Sequence, residues 1–125
     1  MQCKKYIRPW PIQKETALDG QGPFSLTVLP AGHPPGLYEM KRMFSRHVAA
    51  LSGSVIIQST WHDPTGGSQA LISPSLGLNA AGPLGLASNV LMNSDGIEPL
   101  VFSGVFTGVT GAPFFEAIGT VYFIG

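Results

Sequence analysis

Charge is scarce in this chain. Asp, Glu, Lys and Arg make up 11% of its 125 residues, against about a quarter in ordinary soluble domains. Seven cations balance seven anions, for a formal net charge of zero. With no basic excess to neutralise phosphates, nucleic-acid binding driven by backbone charge is excluded. So little charge also gives weak self-repulsion, which favours association with other copies. Cysteine is nearly absent: Cys3 stands alone, excluding an internal disulfide framework and a cysteine zinc site. The lysines of the opening "MQCKKYIRPWPIQKETALDG" are followed by no apolar core of a secretory signal. No membrane-spanning helix is expected either. The most apolar stretch, residues 99–125, is interrupted by Pro113 and Glu116 and weakened by Gly104, Gly108, Gly111 and Gly119. Neither a G-x-S-x-G elbow nor a G-x-x-x-x-G-K phosphate cradle occurs.

What the chain does have is apolar bulk and punctuation. Hydrophobic residues reach 44% and aromatics 10%, alongside 16 glycines and 11 prolines scattered without a period. That combination excludes a disordered polypeptide and fits one domain of strands and turns. Residues 1–22 read as an extended N-terminal arm, because "RPWP" cannot lie inside a helix. The arm joins Lys4, Lys5, Arg8 and Lys14 to Tyr6, Ile7, Trp10 and Ile12, a mixture suited to docking on a neighbour. Residues 23–125 then form the β domain.

Within that domain, "FSLTVLP" alternates Phe24, Leu26 and Val28 against Ser25 and Thr27, the pattern of a half-buried strand. Residues 37–51 are ambiguous. Leu37, Met40, Phe44, Val48 and Leu51 fit helical spacing, with Gly53 as a stop. Read as a strand, Tyr38, Met40, Phe44 and Val48 share a face with Arg42 and Arg46. In "SVIIQSTW" one face carries Val55, Ile57, Ser59 and Trp61, and the other Ile56, Gln58 and Thr60. "HDPTGGS" follows as a turn: Asp63 bonds the backbone ahead, Pro64 fixes φ, and Gly66 and Gly67 supply positive φ. "QALIS" returns as the second arm of a hairpin. Residues 74–89 read as a short strand and a long connection, or as a loop pressed against another subunit, and further strands are expected near 89–93, 97–107 and 115–124.

The stretch "GLYEMKRMFSRHVAALSGSVIIQSTWHDPTGGSQ", residues 36–69, resembles small β-sandwich structural proteins of tailed bacteriophage virions. There, too, Gly-Leu-Tyr opens a strand after a proline-rich loop, and a later strand ends in Trp, x, Asp and a glycine turn. The Gly-x-Tyr opening is also similar to that of the trimeric jelly rolls related to tumour necrosis factor and the complement globular head. The resemblance covers about a quarter of the chain closely and makes 37–48 a strand. The charged cluster Glu39, Lys41, Arg42, Arg46 and His47 departs from the pattern. The resemblance implies an all-β antiparallel sandwich, jelly-roll-like, with no cofactor and no catalytic residues.

Residue by residue, little chemistry competes with that picture. His62 and Asp63 are neighbours on a strand, so their side chains diverge, and Asp63 already serves the turn. His33, His47 and His62 have no recognised ligand spacing for zinc. The expected function is therefore that of a non-enzymatic capsid decoration or cement protein, made in the host cytoplasm and residing on the virion capsid surface. Its partners would be the major capsid protein or other virion proteins, and copies of itself as a trimer in preference to a dimer. Neither nucleic acid nor membrane is an expected partner. Tyr6, Ile7, Arg8, Trp10 and Ile12 are the candidate contact residues. A tail or baseplate component is the alternative, as is a glycan-binding sandwich used in host attachment, with Trp10 or Trp61 stacking on sugars.

Overall fold

The computed structural model describes residues 13–20 and 22–125, with side chains beyond residue 19. Nine strands follow in order among the described residues: β1 Gln13–Gly20, β2 Phe24–Leu29, β3 Gly36–Val48, β4 Ser52–Asp63, β5 Gly67–Ile72, β6 Leu76–Gly77, β7 Gly85–Ser94, β8 Leu100–Thr110 and β9 Phe114–Phe123. They form two packed antiparallel sheets, ordered β1-β9-β3-β7 and β2-β8-β4-β5, with the short β6 also on β4. Early and late strands alternate as neighbours, and the chain changes sheet at every step except around β4, β5 and β6. That order is a jelly roll, two Greek keys folded over each other.

Inward and outward residues alternate along each strand, as sheet geometry requires. Phe24, Leu26 and Val28 of β2 are buried, as are Val55, Ile57 and Ser59 of β4. Trp61 is half-buried and packs against the same core. The ambiguous 37–51 segment is a strand as far as Val48: Tyr38, Met40, Arg42 and Phe44 point inward. Helical spacing would have buried Val48 and Leu51, yet these are 51% and 79% exposed. β3 lies between β7 and β9, so both its edges are hydrogen-bonded, and ladder pairing overrides the local period. Its alternation ends at an irregularity between Arg46 and Val48, which turns Val48 outward.

A cluster of phenylalanine rings joins the two sheets. Phe24 lies edge-on to Phe102 at 5.1 Å and parallel to Phe44 at 6.0 Å. Phe106 stands 5.3 Å from Phe115 and 6.0 Å from Phe44. Phe24, Phe102 and Phe106 come from one sheet, and Phe44 and Phe115 from the other. Such ring pairs contribute about 0.5–1.5 kcal/mol each beyond the area they bury.

Two sequence expectations change. The domain boundary placed at 22/23 moves forward: residues 13–20 pair with β9, from Gln13 opposite Tyr122 to Gly20 opposite Phe115. That part of the expected arm is an edge strand of the chain's own sheet. Its charged composition, "QKETALDG", suits an edge, where charge discourages pairing with other chains. Residues 1–12 lie outside the described residues. Strands are also longer than the punctuation suggested, with 13 residues in β3 and 12 in β4.

Two outcomes follow for stability. A methyl group at Gly104 would lie 2.4 Å from the Phe24 ring. Gly104→Ala should therefore cost about 1–3 kcal/mol in urea unfolding, the usual penalty for overpacking. Removing residues 1–12 should leave the thermal midpoint near that of the full chain, whereas removing 1–20 should lower it by stripping β9 of a hydrogen-bonding partner. Equal midpoints for the two truncations would show that β1 contributes nothing to the fold.

Candidate functional site

The ends of β2, β4 and β7 and the starts of β3, β5 and β8 meet at one end of the sandwich. The chain's polar side-chain contacts concentrate there. His33, 7% exposed in the β2–β3 loop, holds the Pro30 carbonyl at 2.8 Å through Nδ1 and the Ser94 hydroxyl at 2.7 Å through Nε2. A carbonyl can only accept, so Nδ1 donates to Pro30. The Ser94 oxygen in turn accepts the Gly96 N–H at 3.2 Å. Gly96 has φ of 82°, and a Cβ there would lie 2.2 Å from the His33 carbonyl oxygen, so both backbone and space demand glycine. Its carbonyl accepts the Gly32 N–H at 2.8 Å. Next to His33, Tyr38 is fully buried and donates to the Pro34 carbonyl at 2.6 Å, and burial pushes its phenol up from its ordinary value.

His62 reaches the same β7–β8 turn from the other sheet. Its Nδ1 lies 2.5 Å from Asp95 Oδ2, with the side chains 24% and 16% exposed, and its carbonyl accepts the Asp95 N–H at 3.0 Å. Asp95 Oδ1 also accepts the Ile97 N–H at 3.0 Å. Desolvation pushes the Asp95 carboxyl up, but the Ile97 and His62 hydrogen bonds and the His62 charge outweigh it, so the carboxyl is held below its ordinary value. The partner of His62 is therefore Asp95, not Asp63. Nothing in linear spacing joins positions 62 and 95; strand order does.

Asp63 does what the turn reading required. Its Oδ1 accepts the Thr65 N–H at 2.8 Å, the Thr65 hydroxyl at 2.8 Å and the Gly66 N–H at 2.9 Å. Thr65's backbone bond, first among these, holds the Asp63 carboxyl below its ordinary value. Pro64 occupies the second position of that turn. Gly67 has φ of 75°, as expected, but Gly66, whose N–H donates to Asp63, has no positive φ.

A histidine oriented by a carboxylate is half of a general-base arrangement, completed only by a nucleophile on its other nitrogen. Ser68 is the register partner of His62, yet its hydroxyl donates to Glu98 Oε2 at 2.7 Å. The observed contacts bind the β4–β5 hairpin to the β7–β8 turn. The third histidine, His47, lies elsewhere, 3.2 Å from Glu116. The three histidines thus serve three separate partners, and among the described residues no group of three His, Cys, Asp or Glu side chains is placed to hold a metal ion. Trp61 is half-buried, encloses its Nε1 and packs against the core. Cys3, Tyr6, Ile7, Arg8, Trp10 and Ile12 lie outside the described residues. No protein-family model matches the chain, and no curated protein matches it.

Substitutions in the turn should separate its two glycines. Gly67→Ala forces a side chain into the left-handed region and should cost about 1–2 kcal/mol. Gly66→Ala meets only the flexible Gln69 amide and should cost a few tenths, about the size of an ordinary surface change. Equal losses in urea would refute this reading of the turn.

Acid should weaken the same end. Asp63 and Asp95 have folded pKa values below their unfolded ones, so the native state binds fewer protons and their stabilisation is present above the unfolded pKa, about 3.9. It is lost as pH falls from there through the folded values. Asp95→Asn should accordingly lower the urea midpoint at pH 7 and bring it close to that of the parent near pH 2. A constant difference at both pH values would count against the carboxylate's role.

Proposed function

We propose that the chain is a non-enzymatic structural protein of a bacteriophage virion, a decoration or cement protein that bridges capsid subunits as a trimer. The observation that carries this reading is the outer face of the β2-β8-β4-β5 sheet. Register places Thr27, Val101 and Thr60 in one row and Ser103, Gln58 and Ile72 in the next. Beyond them Ile56 pairs with Val105, which is 52% exposed, as Ile72 is 57% exposed. No Asp, Glu, Lys or Arg belongs to these rows. A broad uncharged sheet face matches the core of a protein–protein interface, where charged residues are depleted.

The jelly-roll strand order fits the resemblance of residues 36–69 to virion sandwiches and to trimeric jelly rolls. A protein acting this way works through interface area. A stable contact buries about 1,600 Å² in total, and many copies on a symmetric lattice add avidity. Tyr6, Ile7, Arg8, Trp10 and Ile12 supply a second contact with the capsid, aromatic and basic groups being frequent anchors of interfaces.

Co-sedimentation with capsids tests the face directly. Val105→Lys keeps an exposed position exposed in the isolated chain but buries a charge in the proposed contact. Binding should weaken at least about tenfold, some 1.4 kcal/mol, with the circular dichroism spectrum unchanged. Undiminished binding would remove this face from the interface. Deleting residues 1–12 should likewise reduce binding without unfolding the sandwich.

A further inference from the structure

The most unusual group in the interior is Arg42. It is 6% exposed, the one buried Lys or Arg among the described residues, and it belongs to neither of their ion pairs, His47–Glu116 and His62–Asp95. Its strand position points it between the sheets. There Nε and Nη2 donate to the Ser88 hydroxyl at 3.1 and 2.8 Å, and Nη1 donates to the Ser59 hydroxyl at 3.2 Å. A guanidinium has five N–H groups, so one on each terminal nitrogen is left over. Ser59 spends its own proton on the Met40 sulfur at 3.5 Å, a weak acceptor. Among the described residues the half-buried Ser88 hydroxyl accepts from Arg42 and donates to no acceptor. Trp61 lies two residues beyond Ser59 on the same face of β4, about 7 Å along the strand, and its buried Nε1–H has no acceptor either. Donors here outnumber acceptors, and among the described residues no carboxylate is paired with the guanidinium.

Buried charges are ordinarily paired, because leaving one uncompensated is expensive. Burial also draws the Arg42 pKa below its ordinary value. Ser88 is half-buried on β7, the edge strand of its sheet, so the guanidinium lies next to an open side of the sandwich. We propose that Arg42 and Ser88 form an oxyanion site at this edge, taking a carboxylate or phosphate-like group whose oxygens accept from Nη1, Nη2 and the Ser88 hydroxyl. A guanidinium recognises two oxygens of one such group at once. The oxyanion comes either from solution or from a carboxylate side chain of a second copy seated against β7. This site is independent of the virion reading.

The test uses the full-length chain at pH 7 and constant ionic strength, with acetate or inorganic phosphate replacing chloride. Filling by a free anion predicts a saturable rise in thermal midpoint that Arg42→Met abolishes. Filling by a second copy predicts no such rise, and a loss of self-association of at least tenfold in sedimentation of Arg42→Met with its circular dichroism retained. If Arg42→Met does not fold, Arg42→Lys keeps the charge but loses the planar fork. It should then raise the half-saturating anion concentration, or the dissociation constant of self-association, at least tenfold. The proposal is overturned if neither anion shifts the parent midpoint differently from chloride and self-association is the same in parent and variant.

Discussion

The fold depends on the contact between two sheets that cannot form separately. Because the chain changes sheet at nearly every connection, neither sheet is complete until the other has been laid against it. The phenylalanine cluster enforces that contact. Phe24, Phe102 and Phe106 face Phe44 and Phe115 across the interior, so burying any of these rings requires strands far apart in sequence. Glycine makes room for them. Gly104 leaves space for the Phe24 ring, and Gly119 lies where a Cβ would meet Val28 at 2.9 Å and Phe102 at 3.2 Å. Aromatic bulk on one strand is thus accommodated by a missing side chain on its neighbour.

Polar organisation follows from that closure. A jelly roll brings several loops to each end, and at one end the β7–β8 turn is held from both sides. His33 grips it through Ser94 from the β2–β3 loop, and His62 grips it through Asp95 from β4. The two histidines play different electrical parts. His33 meets a backbone carbonyl and a hydroxyl, whereas His62 meets a carboxylate. Asp63 meanwhile closes the hairpin by itself, with three hydrogen bonds to one oxygen.

Much of the architecture was legible because alternation is local. Phe24, Leu26 and Val28, and Val55, Ile57 and Ser59, carry their burial in a period of two that needs no knowledge of partners. The Asp63 turn was legible for the same reason, since its cap spans three residues. Residues 37–51 were not settled by periodicity. Their apolar spacing fits a helix, and only pairing with β7 and β9 makes a strand of them; the resemblance of 36–69 pointed the right way. β1 was obscured because an edge strand carries charge, as "QKETALDG" does, and so looks like a solvated tail. The His62–Asp95 contact and the Arg42–Ser59–Ser88 cluster were invisible for a deeper reason. Each joins residues from different strands, and register alone brings them together.

The charged side chains that are described have almost all been drawn into the fold. Lys41 lies over the Tyr122 ring at 5.2 Å, and Glu39 accepts from Asn89 at 3.3 Å. Arg46 donates to the Asn79 and Gly82 carbonyls, fastening the segment before β7. Glu116 meets His47, Glu98 receives the Ser68 hydroxyl, Asp63 and Asp95 hold turns, and Arg42 is inside. The cations and the carboxylate of the 39–47 cluster thus secure neighbouring strands and loops. What is left on the β2-β8-β4-β5 sheet is a face of Ser, Thr, Gln, Val and Ile. For a chain with this little charge, using it to fix turns and strand ends removes it from where it would keep other molecules away. Scarcity of charge in the sequence and an uncharged sheet face in the fold are thus two expressions of one allocation.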